Sequence, residues 1–170
     1  MSLNNLANVL QTRFEQRGAS NGSLDEAISF HREALLLLPD RHQHRSMFLT
    51  NLASALHSRY EHRGTSNDLD EGISLLREAL FLQPAHHPLH SNALKCLAIA
   101  LRIRFDEGHL LCDITEAISL YEQLLDCPFD DPNRSWSLEH LPTALSERRA
   151  LIGDHGEIVE GTNAEGQSLM

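Results

Sequence analysis

The feature that most restricts how this chain can fold is a sequence pattern that occurs three times. A block of the form L-x-x-L-A-x-x-L begins at Leu3, at Leu49 and at Leu94, so successive copies start 46 and 45 residues apart. Each first block is followed by a second one, at 24–29, 69–74 and 114–119. A repeat of this period is typical of a solenoid, in which copies of one supersecondary unit stack against each other.

Both blocks have the periodicity of an α-helix, because their apolar residues recur at steps of three and four and so share one face. In the first block these residues are Leu3, Leu6, Ala7, Leu10 and Phe14, then Leu49, Leu52, Ala53, Leu56 and Tyr60, then Leu94, Leu97, Ala98, Leu101 and Phe105. In the second block of the first copy they are Leu24, Ala27, Ile28, His31, Ala34, Leu35 and Leu38. Each copy is therefore predicted to be a pair of antiparallel helices.

Capping signals indicate where these helices begin and end. The second helix of each copy opens with Ser23, Asp68 or Asp113, followed three residues later by Glu, as in a capping box. A serine at 46, 91 and 135 stands three residues before the leading apolar position of a first helix. Pro39 and Pro84 follow the second helices and should end them, since proline cannot continue the hydrogen-bond ladder.

These signals predict an all-α fold, a right-handed α-α superhelix of about three antiparallel helix pairs with a partial helix at its C-terminal end. The array is expected over 1–152, with repeats at about 3–45, 46–90 and 91–134 and a partial one at 135–152. In the partial repeat we expect Pro142 to kink or delay the helix. There the last exposed face should be covered by Trp136, Leu138, Leu141 and Leu145.

Both ends of the chain depart from the repeat. Leu3 aligns with Leu49, so the residue that matches the cap Ser46 would precede Met1, and we expect the chain to be a fragment of a longer array. Residues 153–170 are polar and acidic and contain glycine, which predicts a disordered acidic tail.

The first-helix pattern, followed by Ala27, His31, Ala34 and Pro39, resembles the tetratricopeptide repeat. The chain looks like the long-repeat tetratricopeptide arrays of large fungal signalling proteins, and the resemblance implies a non-catalytic scaffold that binds other proteins. Departures occur at Gly72 and Leu76, which replace the small and aromatic residues of the second copy, and at Leu124 in the third. The period exceeds the usual ~34 residues and is nearer that of HEAT or armadillo repeats, so a HEAT-like adaptor is the structural alternative.

Composition excludes several other functions. The formal net charge of −10 argues against nucleic acid as a partner, because phosphate binding needs a concentrated basic surface. The longest apolar run is far too short to span a membrane, and the N-terminus does not resemble a signal peptide, so we expect a cytoplasmic protein. The three cysteines include no CxxC pair. Of the eleven histidines, the clusters at 42–44 and 86–90 fall in the predicted loops between repeats, so we predict no metal site and no cofactor. No hydrolase or nucleotide-binding motif is present, and an enzyme is not expected.

The predicted partner site is the concave face, which the first helices line in such solenoids. The stripe beside the packing face consists of Asn4, Asn8, Gln11, Thr50, Ser54, His57, Lys95, Ile99 and Arg102. Its amides and hydroxyls suit a peptide backbone, and Lys95 and Arg102 could bind a carboxylate. Some tetratricopeptide domains bind a C-terminal carboxylate with a clamp of Lys, Asn and Arg side chains. Asn8 and Lys95 match positions of that clamp but Ser54 and Ile99 do not, so the resemblance does not predict a complete clamp. The alternative is a structural spacer, or a regulatory or self-association arm of a larger protein that meets its neighbours through exposed array ends.

Overall fold

The structure of the chain is a computed structural model. It describes residues 5–9, 11–12, 21–40, 42–83, 87 and 89–163, with Asn21 and 154–163 described as backbone alone. Every regular element in these ranges is a helix, which confirms the all-α prediction.

The helices follow the predicted blocks. Helix α1 is described at 5–9 and 11–12. The others are α2 (Asn21–Leu36), α3 (Arg45–Arg63), α4 (Ser66–Leu82), α5 (His90–Gly108), α6 (Leu111–Leu125) and α7 (Pro132–Asn163). The chain divides into two compact units, residues 1–100 and 101–170, so α5 contributes to both.

In the first unit, α3 packs against both α2 and α4 through the apolar faces that the periodicity predicts. Five residues form a buried cluster, with exposures between 0% and 2%: Leu24, Ile28, Leu52, Ala55 and Leu56. Burying side chains of this size removes enough apolar surface from water to hold short helices that would be marginal alone. The helix pairs are thus held together mainly by their apolar faces.

In the second unit, α6 and α7 pack together in the same way. Their buried residues include Ile118, Tyr121 and Leu124 on α6 and Ser137 and Ala144 on α7. The hydroxyl of Ser137 donates a 2.6 Å hydrogen bond to the Tyr121 carbonyl, and the small size of both α7 residues lets the two helices approach closely.

The predicted capping residues lie inside their helices. Thr65 and Leu110 are the N-cap residues of α4 and α6, and neither makes a side-chain capping bond. Asp68 and Asp113 lie in the first helical turn, where both are buried. Each is held there by an arginine of the preceding helix, so the capping interpretation of these two acids was wrong. Ser46 is likewise buried within α3, where its hydroxyl accepts a 3.1 Å hydrogen bond from Gln83.

The final helix also differs from the prediction. It begins at Pro132, before Ser135, and contains Pro142, so the expectation of a late start was wrong. Proline is well tolerated at a first helical position because no intrahelical donor is lost there. The side chain of Leu138 is 56% exposed, so the expectation that it would cover the last exposed face was wrong. The helix continues past the boundary predicted at 152 to Asn163, and the remaining tail, 164–170, lies outside the described residues.

Candidate functional site

The predicted binding stripe is distributed over α1, α3 and α5. Asn4 lies outside the described residues. Gln11 and Thr50 are buried, with exposures of 8% and 9%. The Gln11 amide donates a 3.0 Å hydrogen bond to the Ser54 hydroxyl, and the Thr50 hydroxyl donates to the Ser46 carbonyl, also at 3.0 Å. Gln11 therefore joins α1 to α3, whereas the Thr50 bond lies within α3, and the accessible part of the stripe on α3 begins at Ser54.

Ser54, His57 and Ile99 are brought together around one small cavity of about 60 Å³ in the first unit. Its remaining lining comes from α3, α4 and α5, and consists of Ala53, Asp68, Leu69, Gly72, Leu76, Cys96 and Ala100. Ser54 is exposed and His57 and Ile99 are partly exposed, whereas the α4 residues are buried. The three predicted residues thus form the rim, and α4 forms the floor.

Two residues that line the cavity are departures of the second repeat from the other copies. Gly72 takes the place of an alanine, and Leu76 takes the place that Tyr121 fills in the third repeat. A Cβ atom built at Gly72 would meet only the Ala53 carbonyl oxygen, at 3.7 Å, so the space beside this glycine is open. Both residues are departures from the repeat in the sequence, which marks the second copy as unusual at these two positions.

No free charge faces this cavity from its floor. Asp68 is the one acid in the lining, and both of its oxygens accept hydrogen bonds of 2.7 Å from Arg59. These bonds raise the pKa of Arg59 above its ordinary value, so its guanidinium stays charged beside the carboxylate. Burial raises the pKa of the Cys96 thiol, which keeps that group neutral. The site is consequently apolar with neutral walls, and it contains no activated nucleophile of the kind that covalent catalysis requires.

His57 gives the rim its main polar character. Its Nε2 lies 3.5 Å from Glu61 one turn later on α3. Its Nδ1 is shielded from solvent and has no hydrogen-bond partner among the described residues. A buried nitrogen without a partner is uncommon in folded proteins, and here the atom is closed off from the surface of the rim.

The two basic residues of the stripe have different surroundings. Lys95 lies on α5 in the first unit and is partly exposed. Arg102 belongs to the second unit, where its guanidinium forms an ion pair with Glu147 of α7 and lies 3.5 Å from Asp106. The structure therefore gives Arg102 two carboxylates of its own chain.

In the described ranges, no three or more His, Cys, Asp or Glu side chains are placed to share a metal ion. His42 and His44 are neighbours, with a 3.2 Å hydrogen bond from the His44 amide to the His42 ring. None of the described helices is long and apolar enough to cross a bilayer.

Comparison with known proteins identifies the fold. No protein-family model matches the chain, and no curated protein matches it. Among solved structures, it is similar to a protein from Podospora anserina described as a kinesin light chain with nearly identical TPR-like repeats. The TM-score is 0.62 at 20% sequence identity, over 98% of this chain and 78% of the other. This similarity favours tetratricopeptide-like repeats over the HEAT alternative.

Proposed function

From this tetratricopeptide-like fold, we propose that the chain is a non-catalytic scaffold that binds an extended peptide segment of a partner protein on the α1, α3 and α5 side. Such solenoids present continuous helix faces, and an extended segment can lie across several of them at once. We further propose a cytoplasmic location, where free cysteines such as those in this chain stay reduced.

The observation that carries the proposal is the shared cavity of Ser54, His57 and Ile99. Three stripe residues from two helices surround one opening whose floor is apolar, and Lys95 lies on the same helix as Ile99. Recognition sites of this kind combine an apolar recess with a few polar groups at the rim. The exposed hydroxyl of Ser54 and the partly exposed ring of His57 can meet the N–H and C=O groups of a peptide backbone.

The proposal is tested by selecting peptides from a random display library against the full-length chain and measuring their affinity by fluorescence anisotropy. We expect Ser54→Arg to weaken binding by about tenfold or more, because a long charged side chain would cover the recess. Lys95→Glu should lower the affinity for those peptides that carry an acidic residue.

Ser74→Arg is the matched control, because Ser74 is exposed on α4 and does not line the cavity. It introduces the same side chain and should leave affinity unchanged, and circular dichroism should show that all variants remain helical. Failure to select any peptide, or equal affinity of Ser54→Arg and the wild type, would contradict the proposal. So would amide shift changes that centre on Leu36 and Phe81, which are 86% and 89% exposed at the ends of α2 and α4.

A second candidate function is a spacer or self-association arm, and α7 favours it. Leu138 and Ile152 are 56% and 53% exposed there, and a helix with uncovered apolar residues can pack against another repeat unit. Sedimentation equilibrium would show a concentration-dependent oligomer that Leu138→Glu dissociates. A chain that is monomeric at every concentration would contradict self-association through this helix.

A further inference from the structure

We infer that the cavity between α3, α4 and α5 is an anchor site for a single aliphatic side chain of the bound peptide. The inference rests on the proposed function and makes it more specific, since it names the side-chain class that the scaffold recognises. The occupant is a valine, leucine, isoleucine or methionine of the partner, inserted between Ser54, His57 and Ile99 towards Gly72.

Size is the first argument. One bound water needs about 10–15 Å³ of accessible cavity volume. The cavity of about 60 Å³ therefore has room for roughly four to six waters. That is the bulk of an aliphatic side chain, and it is too little for an aromatic ring with its linking carbon. The rim residues leave the cavity open to the α3 and α5 surface, so a side chain can enter without local unfolding.

Charge is the second argument. Both Asp68 oxygens are occupied by Arg59, and the Cys96 thiol is held neutral. A lysine or an acid inserted here would lose its hydration without gaining an opposite charge, which costs several kcal/mol. An uncharged apolar group loses nothing of this kind, so the electrostatics of the lining match an aliphatic occupant.

The other two repeats carry an alanine at the position of Gly72. The first and third copies have Ala27 and Ala117 where the second has Gly72, and both alanines are completely buried. Glycine inside a helix lowers stability relative to alanine, yet an alanine Cβ at this position would meet only ordinary contacts. The second repeat therefore keeps an opening that its own side chains could fill, and a ligand group supplies the missing contacts.

The test compares the wild-type chain with Gly72→Val, which fills the cavity from its floor, and with Ser74→Val, which makes a β-branched residue at an exposed position of the same helix. Peptides selected on the wild type should share one aliphatic position, and replacing that residue by alanine should weaken binding about 10- to 100-fold. In Gly72→Val the same replacement should change affinity less than about twofold. Ser74→Val should behave as the wild type.

Xenon provides a readout that does not depend on a variant. It should shift the methyl resonances of Leu69, Leu76 and Ile99 in the wild-type chain, and a saturating selected peptide should abolish those shifts. Peptides that bind without an aliphatic preference, or that leave the xenon shifts intact, would overturn the anchor site while leaving peptide binding established. If the wild-type chain selects no peptide at all, the proposed function fails, and the anchor site fails with it.

Discussion

Arg59 and Asp68 are joined by two hydrogen bonds of 2.7 Å that connect the two helices of the second repeat. Arg104 and Asp113, each 45 residues further along the chain, form the same pair with hydrogen bonds of 2.9 and 2.7 Å. Both aspartate side chains are only 1% exposed. Because the arrangement recurs at the repeat spacing, we interpret it as a structural link between the two helices of a pair.

Replacing Arg59 by methionine should lower the free energy of unfolding by about 3 kcal/mol, because the Asp68 carboxylate would remain buried without its partner. The double variant Arg59→Met/Asp68→Leu should recover much of this loss, since it removes the uncompensated charge as well. Urea unfolding followed by circular dichroism measures both effects.

Arg32→Met is the matched control for this variant. Arg32 also forms a bidentate pair, with Glu71, but its side chain is 47% exposed and that of Glu71 is 31% exposed. Solvent weakens such a pair, so its removal should cost no more than about 1 kcal/mol. Equal losses in Arg32→Met and Arg59→Met, or a double variant no more stable than Arg59→Met, would show that burial of Asp68 is not the cause.

The helix pairs and their buried faces could be predicted because they depend on local periodicity. Leu49, Leu52 and Leu56 are spaced for one helical face, and that face is buried. The roles of polar residues could not be predicted, because they depend on neighbours far along the chain. The sequence predicts a helix cap at Asp68, whereas the structure places Arg59 beside it. The sequence predicts an exposed amide at Gln11, whereas the structure shows its hydrogen bond to Ser54.

The cavity could not be predicted from the sequence either. Gly72 and Leu76 stand out in the sequence as departures from the repeat, but their spacing does not reveal that they border one space. That requires Cys96 and Ile99 of α5, which close the cavity and come from the next repeat. The repeat pattern thus identifies the positions at which one copy differs from the others. Only the packing of adjacent helices shows that these positions border a cavity.

Acid should destabilise the chain through His31, which is completely buried and whose ring nitrogens have no partner among the described residues. Burial lowers its pKa from 6.5 to about 4. The unfolded chain therefore binds more protons between these two values, so the free energy of unfolding falls as the pH drops from about 6.5 to about 4. The full loss is about 3 kcal/mol. Thermal unfolding across this range measures it.

His31→Leu should remove the part of this pH dependence that His31 contributes and raise stability at neutral pH, because leucine needs no hydrogen bond and occupies the corresponding position, 76, in the next repeat. Burial also lowers the pKa of His90, so some acid sensitivity should remain in the variant. Asp25 does not contribute to the difference in pH dependence between the wild type and His31→Leu. Its pKa is lowered below 3.8 by its hydrogen bond to Arg63, so its contribution is lost only at more acid pH. An unchanged slope in His31→Leu would assign the acid sensitivity to other groups.

Gly72→Ala should raise the free energy of unfolding by about 0.5–1 kcal/mol, because alanine is the better helix former and its Cβ would meet only the Ala53 oxygen, at 3.7 Å. The same change narrows the cavity, so affinity for aliphatic peptides should fall although the fold is more stable. Denaturation and anisotropy on one preparation test both effects. A variant that loses stability and affinity together would indicate that the glycine is required by the fold.

His109→Gly should stabilise the chain by about 0.5–1 kcal/mol, because His109 has a positive φ of 50° that costs an L-residue free energy. Gly64 occupies the corresponding position of the preceding repeat with φ of 66°, and each amide donates a 2.7 Å hydrogen bond to a carbonyl one turn earlier. The edge contact between His109 and the Phe105 ring, with centroids 5.6 Å apart, offsets part of the gain in stability.

Gly64→Ala is the reciprocal variant, and its free energy of unfolding should fall by about 1 kcal/mol from the backbone strain alone, since no other atom lies within 4 Å of the added Cβ. Urea midpoints that move in the same direction for both variants would contradict this account.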